Sequence, residues 1–98
     1  MVGGDHRVIL GRIVGAFGIR GELKVTSWTR PAVNILDYPE WWVGEGEAAH
    51  LRRHTGGRVR GQGQVVVRLD GVENRDAVDA LIGQAVSVDE SALPPLED

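Results

Sequence analysis

Short runs of β-branched residues, several of them closed by a glycine, constrain the fold of this chain more than any other feature of its sequence. Valine and glycine each occur 14 times among 98 residues. Valine favours strands because its branched side chain packs well on a pleated surface, and glycine supplies the backbone conformations of turns and bulges. The sequence therefore predicts short strands joined by turns. It lacks the alternation of strands and long helices that indicates a doubly wound sheet.

Six segments have the alternation or the β-branched character of strands. Within the second of them, Leu23 and Val25 share one face and leave a solvated face opposite. A hairpin turn is predicted at Gly56-Gly57. Strands of this kind form an antiparallel barrel or sandwich. The predicted strands are residues 8–15, 22–28, 40–43, 48–55, 63–70 and 85–88.

Two segments depart from the strand pattern. Residues 31–39 begin and end with proline and predict an irregular excursion with one helical turn around residues 33–36. Residues 75–82 have an apolar stripe of helical spacing and predict one short helix. Asn74 is the candidate N-cap of this helix and Gly83 the candidate C′ residue.

The periodicity also predicts a single core and a special glycine loop. In the connection after the first strand, at least one of Gly15, Gly18 and Gly21 is expected to have a positive φ, and Phe17 and Ile19 within it are expected to plug the barrel. The predicted core residues are Val8, Leu10, Ile13, Leu23, Val25, Val65, Val67 and Leu81.

Length and composition exclude several classes of protein. The length suits one small domain, and no apolar run is long enough to span a membrane. The absence of cysteine excludes disulfide scaffolds, zinc ribbons and thiol nucleophiles. We therefore expect a cytoplasmic protein without membrane association.

No motif for catalysis, metal binding or cofactor binding emerges. The loop Gly15-x-x-Gly18-x-x-Gly21 lacks both the G-x-G opening of dinucleotide sites and the G-K-[ST] of a P-loop. His50 and His54 lie on a predicted strand, where a spacing of four residues separates side chains by about 13 Å. Both histidines are therefore predicted to be solvated, and no catalytic, metal-binding or cofactor-binding residue is assigned.

Trp41 and Trp42 are the most conspicuous apolar pair of the sequence. On a strand, adjacent side chains point to opposite faces, so one ring belongs in the core. The other ring is either covered by the excursion of residues 31–39 or exposed as an anchor for a partner.

The formal net charge is −3, but the charges are segregated along the chain. Residues 50–68 contain five arginines and no acidic residue. Near the predicted turn, Arg52, Arg53, Arg58 and Arg60 would project from a hairpin and could straddle an RNA backbone. The alternative is a charged hairpin that only prevents edge pairing. A second candidate surface contains Arg20 and Lys24, beside the glycine loop.

Several motifs together resemble one family, the N-terminal domain of the bacterial ribosome maturation factor RimM. They span the chain in the family's order and comprise Leu10–Val25, Thr29, Leu36-Asp37-Tyr38-Pro39 ahead of Trp41-Trp42, Leu69–Ala77 running into Leu81-Ile82-Gly83, and Leu93-Pro94-Pro95-Leu96. The resemblance implies an all-β fold, a six-stranded antiparallel barrel similar to domain II of translation factors, with one short helix. It implies a flexible N-terminus over 1–7, the barrel over 8–90, and a linker over 91–98 toward a PRC-type barrel that this chain lacks.

The same resemblance implies a non-enzymatic assembly factor. Such a factor binds the precursor of the small ribosomal subunit and aids maturation of its head, through small-subunit rRNA and ribosomal protein 19 of the head. It needs no cofactor, and we expect a monomer. The alternative is a translation-factor-like barrel that acts only in protein–protein contacts, with the arginines as ordinary surface.

Overall fold

The computed structural model of the chain describes residues 7–18 and 20–92. Six antiparallel strands close into a barrel in the order β1-β2-β5-β4-β3-β6, which confirms the predicted fold. The strands are β1 (Arg7–Phe17), β2 (Glu22–Ser27), β3 (Glu40–Val43), β4 (His50–Val59), β5 (Gln64–Leu69) and β6 (Ala85–Asp89). One α-helix, α1 (Arg75–Asp79), and three 3-10 turns, Ala32–Asp37, Gly46–Ala48 and Glu90–Ala92, complete these residues.

The longest strand, β1, joins the two sides of the barrel. It pairs with β2 and with β6, and its register shifts at two places, between Ile9 and Gly11 and between Ile13 and Gly15. A Cβ at Gly11 would collide with the carbonyl oxygen of Thr26, so the close approach of β1 and β2 requires glycine there. Bulges of this kind let a strand bend around a small barrel.

The core lies inside this barrel and contains inward residues of β1, β2, β3, β5 and β6, whereas no residue of β4 is fully buried. Six of the predicted core residues are buried, namely Leu10, Ile13, Leu23, Val25, Val65 and Val67. Val8 and Leu81 pack against the core but remain partly exposed.

The 3-10 turn Ala32–Asp37 and β3 close part of the core together. Ile35 is fully buried, and the Trp41 indole Nε1 donates a hydrogen bond of 3.1 Å to its carbonyl oxygen. Trp41 is therefore the core tryptophan, and the excursion of residues 31–39 covers it rather than Trp42. Trp42 is half-buried on the outer side of the barrel, where the guanidinium of Arg7 lies 4.6 Å from its ring centroid.

The helix begins as predicted but ends early. The Asn74 side chain accepts a hydrogen bond from the Ala77 amide, which confirms the N-cap. The predicted helix of residues 75–82 is too long, because α1 ends at Asp79. The chain then tightens into turns, and the amide of Gly83 donates to the carbonyl oxygen of Ile13 at 2.7 Å. Pairing with β1 replaces the last predicted helical turn.

The hairpin turn predicted at Gly56-Gly57 is wrong. Strand β4 continues through both glycines, and its register against β5 shifts between His54 and Gly57. Gly56 has a φ of 126°, and a Cβ at Gly57 would lie 2.5 Å from the carbonyl oxygen of Val66. The glycine pair therefore forms a bulge and a close interstrand contact.

The real turn between β4 and β5 follows Arg60. The amide of Arg60 donates to the carbonyl oxygen of Gln64, and Gly61 and Gly63 both have positive φ. This second pair of glycines supplies the left-handed conformations that a hairpin turn requires.

The remaining local predictions concern the glycine loop and the chain ends. Gly18 and Gly21 have positive φ, as predicted, whereas Gly15 lies in β1. The strand β1 already begins at Arg7, inside the predicted flexible N-terminus. The prediction for Ile19, the rest of the N-terminus and the linker beyond Ala92 lie outside the described residues. Within those residues, no helix has the length and apolar character needed to cross a membrane.

Candidate nucleic-acid interface

The outer surface of β2, β5 and the second half of β4 carries most of the basic side chains that the sequence singled out. Because side chains alternate along a strand, Leu23 and Val25 point into the core and Lys24 points outward. Lys24 pairs with Val66, and Val66 pairs in turn with Arg58. Paired residues share a face, so Lys24 and Arg58 flank Val66 on the outside of the barrel.

A small cluster covers Val66 from outside. Val66 is fully buried but lies outside the main core cluster. Phe17, at the end of β1, is half-buried on the same outer face. The guanidinium carbons of Arg58 and Arg60 lie 5.5 and 4.7 Å from its ring centroid. These distances are typical of cation–π contacts.

Two further arginines extend the charge toward the glycine loop. The guanidinium of Arg68 donates to the carbonyl oxygen of Arg20 at 2.7 Å. Arg20, Arg58 and Arg68 line an open cleft of about 430 Å³ that the bulge at Gly56-Gly57 also borders. The two glycines of the bulge have no side chains, so their backbone lines the same cleft as the three arginines.

The carboxylate of Glu22 lies within this surface, and Asp70 and Glu73 line an adjoining cleft with Arg20 and Arg68. Glu22 Oε2 is 3.3 Å from an Arg58 guanidinium nitrogen, and the Arg58 side chain remains 57% exposed. An ion pair this open to solvent contributes little to stability and leaves the other donors of the guanidinium available. We call this surface the basic face and define it by Phe17, Arg20, Lys24, Arg58, Arg60 and Arg68.

The chemistry of the basic face suits nucleic acid. Guanidinium groups donate to phosphate oxygens in a bidentate manner, and a lysine supplies a point charge. An aromatic ring close to arginines offers a surface on which a base can stack. The face thus combines contacts that follow a backbone with one stacking position.

The structure brings together four of the six candidate residues from the two predicted surfaces and places the other two elsewhere on the barrel. Arg20, Lys24, Arg58 and Arg60 lie together on the basic face. Arg52 and Arg53 belong to the first half of β4, before the bulge.

Arg52 and Arg53 point in different directions. Arg52 pairs with the buried Trp41, so its side chain lies on the inner side of the sheet, and its Nε is buried without a hydrogen-bond partner among the described residues. Arg53 is exposed and pairs with Glu40 of β3. The predicted group of four arginines at one hairpin tip is therefore wrong, because the true tip lies beyond Arg60 and the bulge divides β4.

Sequence reasoning missed two members of the basic face. Arg68 was counted among the five arginines of the acid-free stretch but received no role, although the alternation of β5 places it outside. Phe17 was interpreted as a barrel plug. Its position opposite Glu22 follows only from the register of β1 and β2.

The two histidines on β4 do not form a metal site. His50 is exposed, as predicted, but His54 is half-buried and its Nε2 lies 2.8 Å from the carbonyl oxygen of Tyr38. Its ring centroid is 4.9 Å from that of Trp41. The prediction of a solvated His54 is therefore wrong, because the inner side of β4 packs on the core tryptophan. Across residues 7–18 and 20–92, no group of three or more metal-ligating side chains is present.

Comparisons with known proteins bear on the whole barrel. The family model described as the RimM N-terminal domain matches residues 8–93. A ribosome maturation factor RimM from Stenotrophomonas maltophilia is 46% identical over 94 residues, which cover 93% of this chain and 54% of that protein. A protein of the same name from Methylococcus capsulatus is 43% identical and is covered to the same extent, 54%. The chain thus spans about half the length of these relatives.

Two solved structures share the fold. A crystal structure of a RimM from Pseudomonas aeruginosa, described as a 16S ribosomal RNA processing protein, has a TM-score of 0.86 and 32% sequence identity. The match covers 94% of this chain and 56% of that one. The solution structure of the N-terminal domain of RimM from Thermus thermophilus has a TM-score of 0.73 and 30% identity, and 99% of that chain is covered.

Proposed function

The chain belongs to the RimM family, and on that premise we propose that it serves maturation of the small ribosomal subunit as a binding module rather than as an enzyme. Its partners are the precursor of the small subunit, through the rRNA and ribosomal protein 19 of the head. It works in the cytoplasm as a monomer and needs no cofactor.

The basic face is the observation that supports this proposal most strongly. Five cationic side chains, with Glu22 among them and Asp70 and Glu73 at one edge, share a surface on a protein whose formal net charge is −3. Charge concentrated in this way neutralises phosphates and releases their counterions, which drives most binding to nucleic acid. Phe17 adds a position where an unpaired base of a loop or bulge can stack.

The proposed mechanism requires no chemical step. A factor that binds one conformer of the rRNA more tightly than another shifts the population toward the first by its difference in affinity. When the mature conformer no longer offers the preferred contacts, the factor dissociates. Contacts to backbone phosphates hold the factor in place, and shape rather than sequence selects the site.

Two matched pairs of arginines on one strand test this proposal. The variant Arg58→Ala/Arg60→Ala loses two charges from the basic face, and Arg52→Ala/Arg53→Ala loses the same charge from the other half of β4. We measure the affinity of each for a head fragment of small-subunit rRNA over a series of salt concentrations. The first variant is expected to reduce the slope of log K against log salt by about one unit per lost phosphate contact.

The control pair is expected to keep the wild-type affinity and slope. Equal slopes for wild type and the Arg58/Arg60 variant would contradict RNA binding by this face. That outcome would favour the alternative function, a barrel that contacts only protein. The exposed apolar side chains of Ile9 and Leu51, on the opposite side of the barrel, are the observation in favour of that alternative.

A further inference from the structure

A second surface of the barrel has the opposite character to the basic face. On the outer side of β1, β6, β3 and the first half of β4, Ile9 and Trp42 each pair with Ser87, and Leu51 pairs with Trp42. Ile9 and Leu51 are 47% and 50% exposed, and Trp42 is half-buried between them. We call Ile9, Trp42 and Leu51 the tryptophan face.

Two adjoining clefts mark the edge of the tryptophan face. The first, of about 190 Å³, is lined by Trp42 and Leu51 together with Tyr38, Pro39 and Ala92, and the acidic residues Glu40 and Asp89 also border it. The second, of about 350 Å³, shares Tyr38, Pro39 and Ala92. The first cleft is smaller than the about 300–1,000 Å³ typical of small-molecule sites, so it suits single side chains of a peptide better than a metabolite.

The indole of Trp42 has a polar atom that the described residues leave without a partner. Its Nε1 is buried, yet no described residue accepts its hydrogen bond. Buried tryptophan N–H groups usually have an acceptor, because leaving such a donor unsatisfied destabilises the protein. The tryptophan face thus combines exposed apolar side chains with one unused donor.

The position of Ala92 indicates which segment could fill the two clefts and accept the hydrogen bond of the Trp42 indole. Ala92 lines both clefts, and the sequence continues directly with Leu93-Pro94-Pro95-Leu96. A proline-rich segment favours the polyproline II conformation, which has three residues per turn and solvated backbone carbonyls. Leucines three positions apart lie on one side of such a helix, and aromatic grooves recognise segments of this kind.

We propose that residues 93–96 dock along the tryptophan face as an extended polyproline segment. The two leucines occupy the clefts beside Trp42 and Tyr38, and a backbone carbonyl of the segment accepts the hydrogen bond of the Trp42 Nε1. Because residue 93 directly follows Ala92, which lines both clefts, docking of this segment loses little additional chain entropy. The inference is independent of RNA binding by the basic face.

Exchange of the Trp42 indole proton in the full 98-residue chain tests the proposal. The variant Leu93→Ser/Leu96→Ser removes both apolar contacts, and Glu97→Ser/Asp98→Ser alters the same segment without touching the leucines. Two other indole protons serve as references in each spectrum. Trp28 is 54% exposed, and Trp41 is hydrogen-bonded to Ile35.

In the leucine variant, exchange of the Trp42 proton is expected to accelerate about tenfold, the factor that corresponds to a segment docked about nine-tenths of the time. The proton is also expected to shift its resonance, and both references and the acidic control are expected to stay at their wild-type values. Unchanged exchange and resonance of Trp42 in the leucine variant would overturn the proposal. A Trp42 signal that depends on protein concentration would also overturn it, because a second copy would then be the occupant.

Discussion

The basic face and the tryptophan face occupy opposite arcs of the same barrel, β2-β5 against β3-β6, and share strand β4. The bulge between His54 and Gly57 divides that strand. Before the bulge Leu51 points outward beside Trp42, and after it Arg58 and Arg60 point outward beside Phe17. One strand therefore contributes to two surfaces of different chemistry, and the glycines at the bulge allow the change.

The aromatic residues of the two faces show the same contrast. Phe17 lies beside the guanidinium groups of Arg58 and Arg60, which remain exposed, so its surroundings are cationic and open. Trp42 contacts the guanidinium of Arg7 and lies beside the exposed side chain of Leu51, and its indole Nε1 has no acceptor among the described residues. A cationic aromatic surface favours a polyanion, whereas an apolar surface with a free donor favours a peptide.

Replacement of the core tryptophan has the largest expected effect. It tests whether the two faces unfold together in one transition. Trp41→Ala removes the largest fully buried side chain and its hydrogen bond to Ile35. We expect a loss of about 3–5 kcal/mol in the free energy of unfolding, measured by urea denaturation. Probes on both faces are expected to report one transition, since both rest on one core. Separate midpoints for Trp42 and the basic face would contradict this view.

Substitution of the bulge glycine is expected to damage the basic face selectively. A Cβ at Gly57 meets the backbone of Val66 at 2.5 Å, so Gly57→Ala forces β4 and β5 apart at a cost of about 1–3 kcal/mol. RNA affinity is expected to fall while the Trp42 indole resonance stays unchanged. Gly15→Ala is the control, because its Cβ meets only the flexible end of Lys24. Equal effects of the two substitutions would show that the bulge has no special role.

Exchange of each aromatic residue for leucine separates the two faces by function. Phe17→Leu removes the ring beneath Arg58 and Arg60, and each cation–π contact at an exposed site contributes about 0.5–1 kcal/mol. We expect a small loss of stability and a clear loss of RNA affinity, measured by titration at fixed salt. Trp42→Leu is expected to leave the RNA affinity unchanged. A larger loss of RNA affinity for Trp42→Leu than for Phe17→Leu would reverse the assignment of the faces.

Removal of the Glu22 carboxylate from the basic face gives the smallest expected effect. Glu22→Gln abolishes an exposed ion pair with Arg58, and such pairs contribute about 0.2–1 kcal/mol to stability. RNA affinity is expected to rise slightly, because a negative charge near the phosphates disappears and Arg58 becomes free. Glu40→Gln, beside Arg53 on the other half of β4, is the matched control. A decrease in affinity for Glu22→Gln would indicate that this carboxylate positions Arg58 for binding.

The fold could be predicted from sequence because local signals and tertiary structure agree. The strand of residues 40–43 is found with its predicted bounds, and Leu23 and Val25 face the core as their alternation indicates. The Asn74 cap also follows from a local interaction. Where a prediction was wrong, a contact between residues distant in the sequence determines the local structure. Pairing with β1 ends the helix early, and the contact of Gly57 with Val66 converts a predicted turn into a bulge.

The candidate site was predicted only in part for the same reason. The excess of arginine between residues 50 and 68 is visible in the sequence, but the direction of each side chain depends on the register of β4. A turn at Gly56-Gly57 would pair Arg53 with Arg60, whereas in the observed register β4 continues through the bulge and the two residues lie far apart along the strand. Phe17 joins the site only through the pairing of β1 with β2, which no local pattern reveals.

The central claim is that this domain binds RNA with the basic face and not with the tryptophan face. Titration of the isotope-labelled 98-residue chain with a head fragment of small-subunit rRNA, followed by nuclear magnetic resonance, tests it most directly. We expect saturable shifts at Phe17, Lys24, Arg58 and Arg68 that weaken as salt increases, with the Trp42 indole signal unmoved. Shifts confined to Trp42 and its neighbours, with the basic face silent, would contradict it.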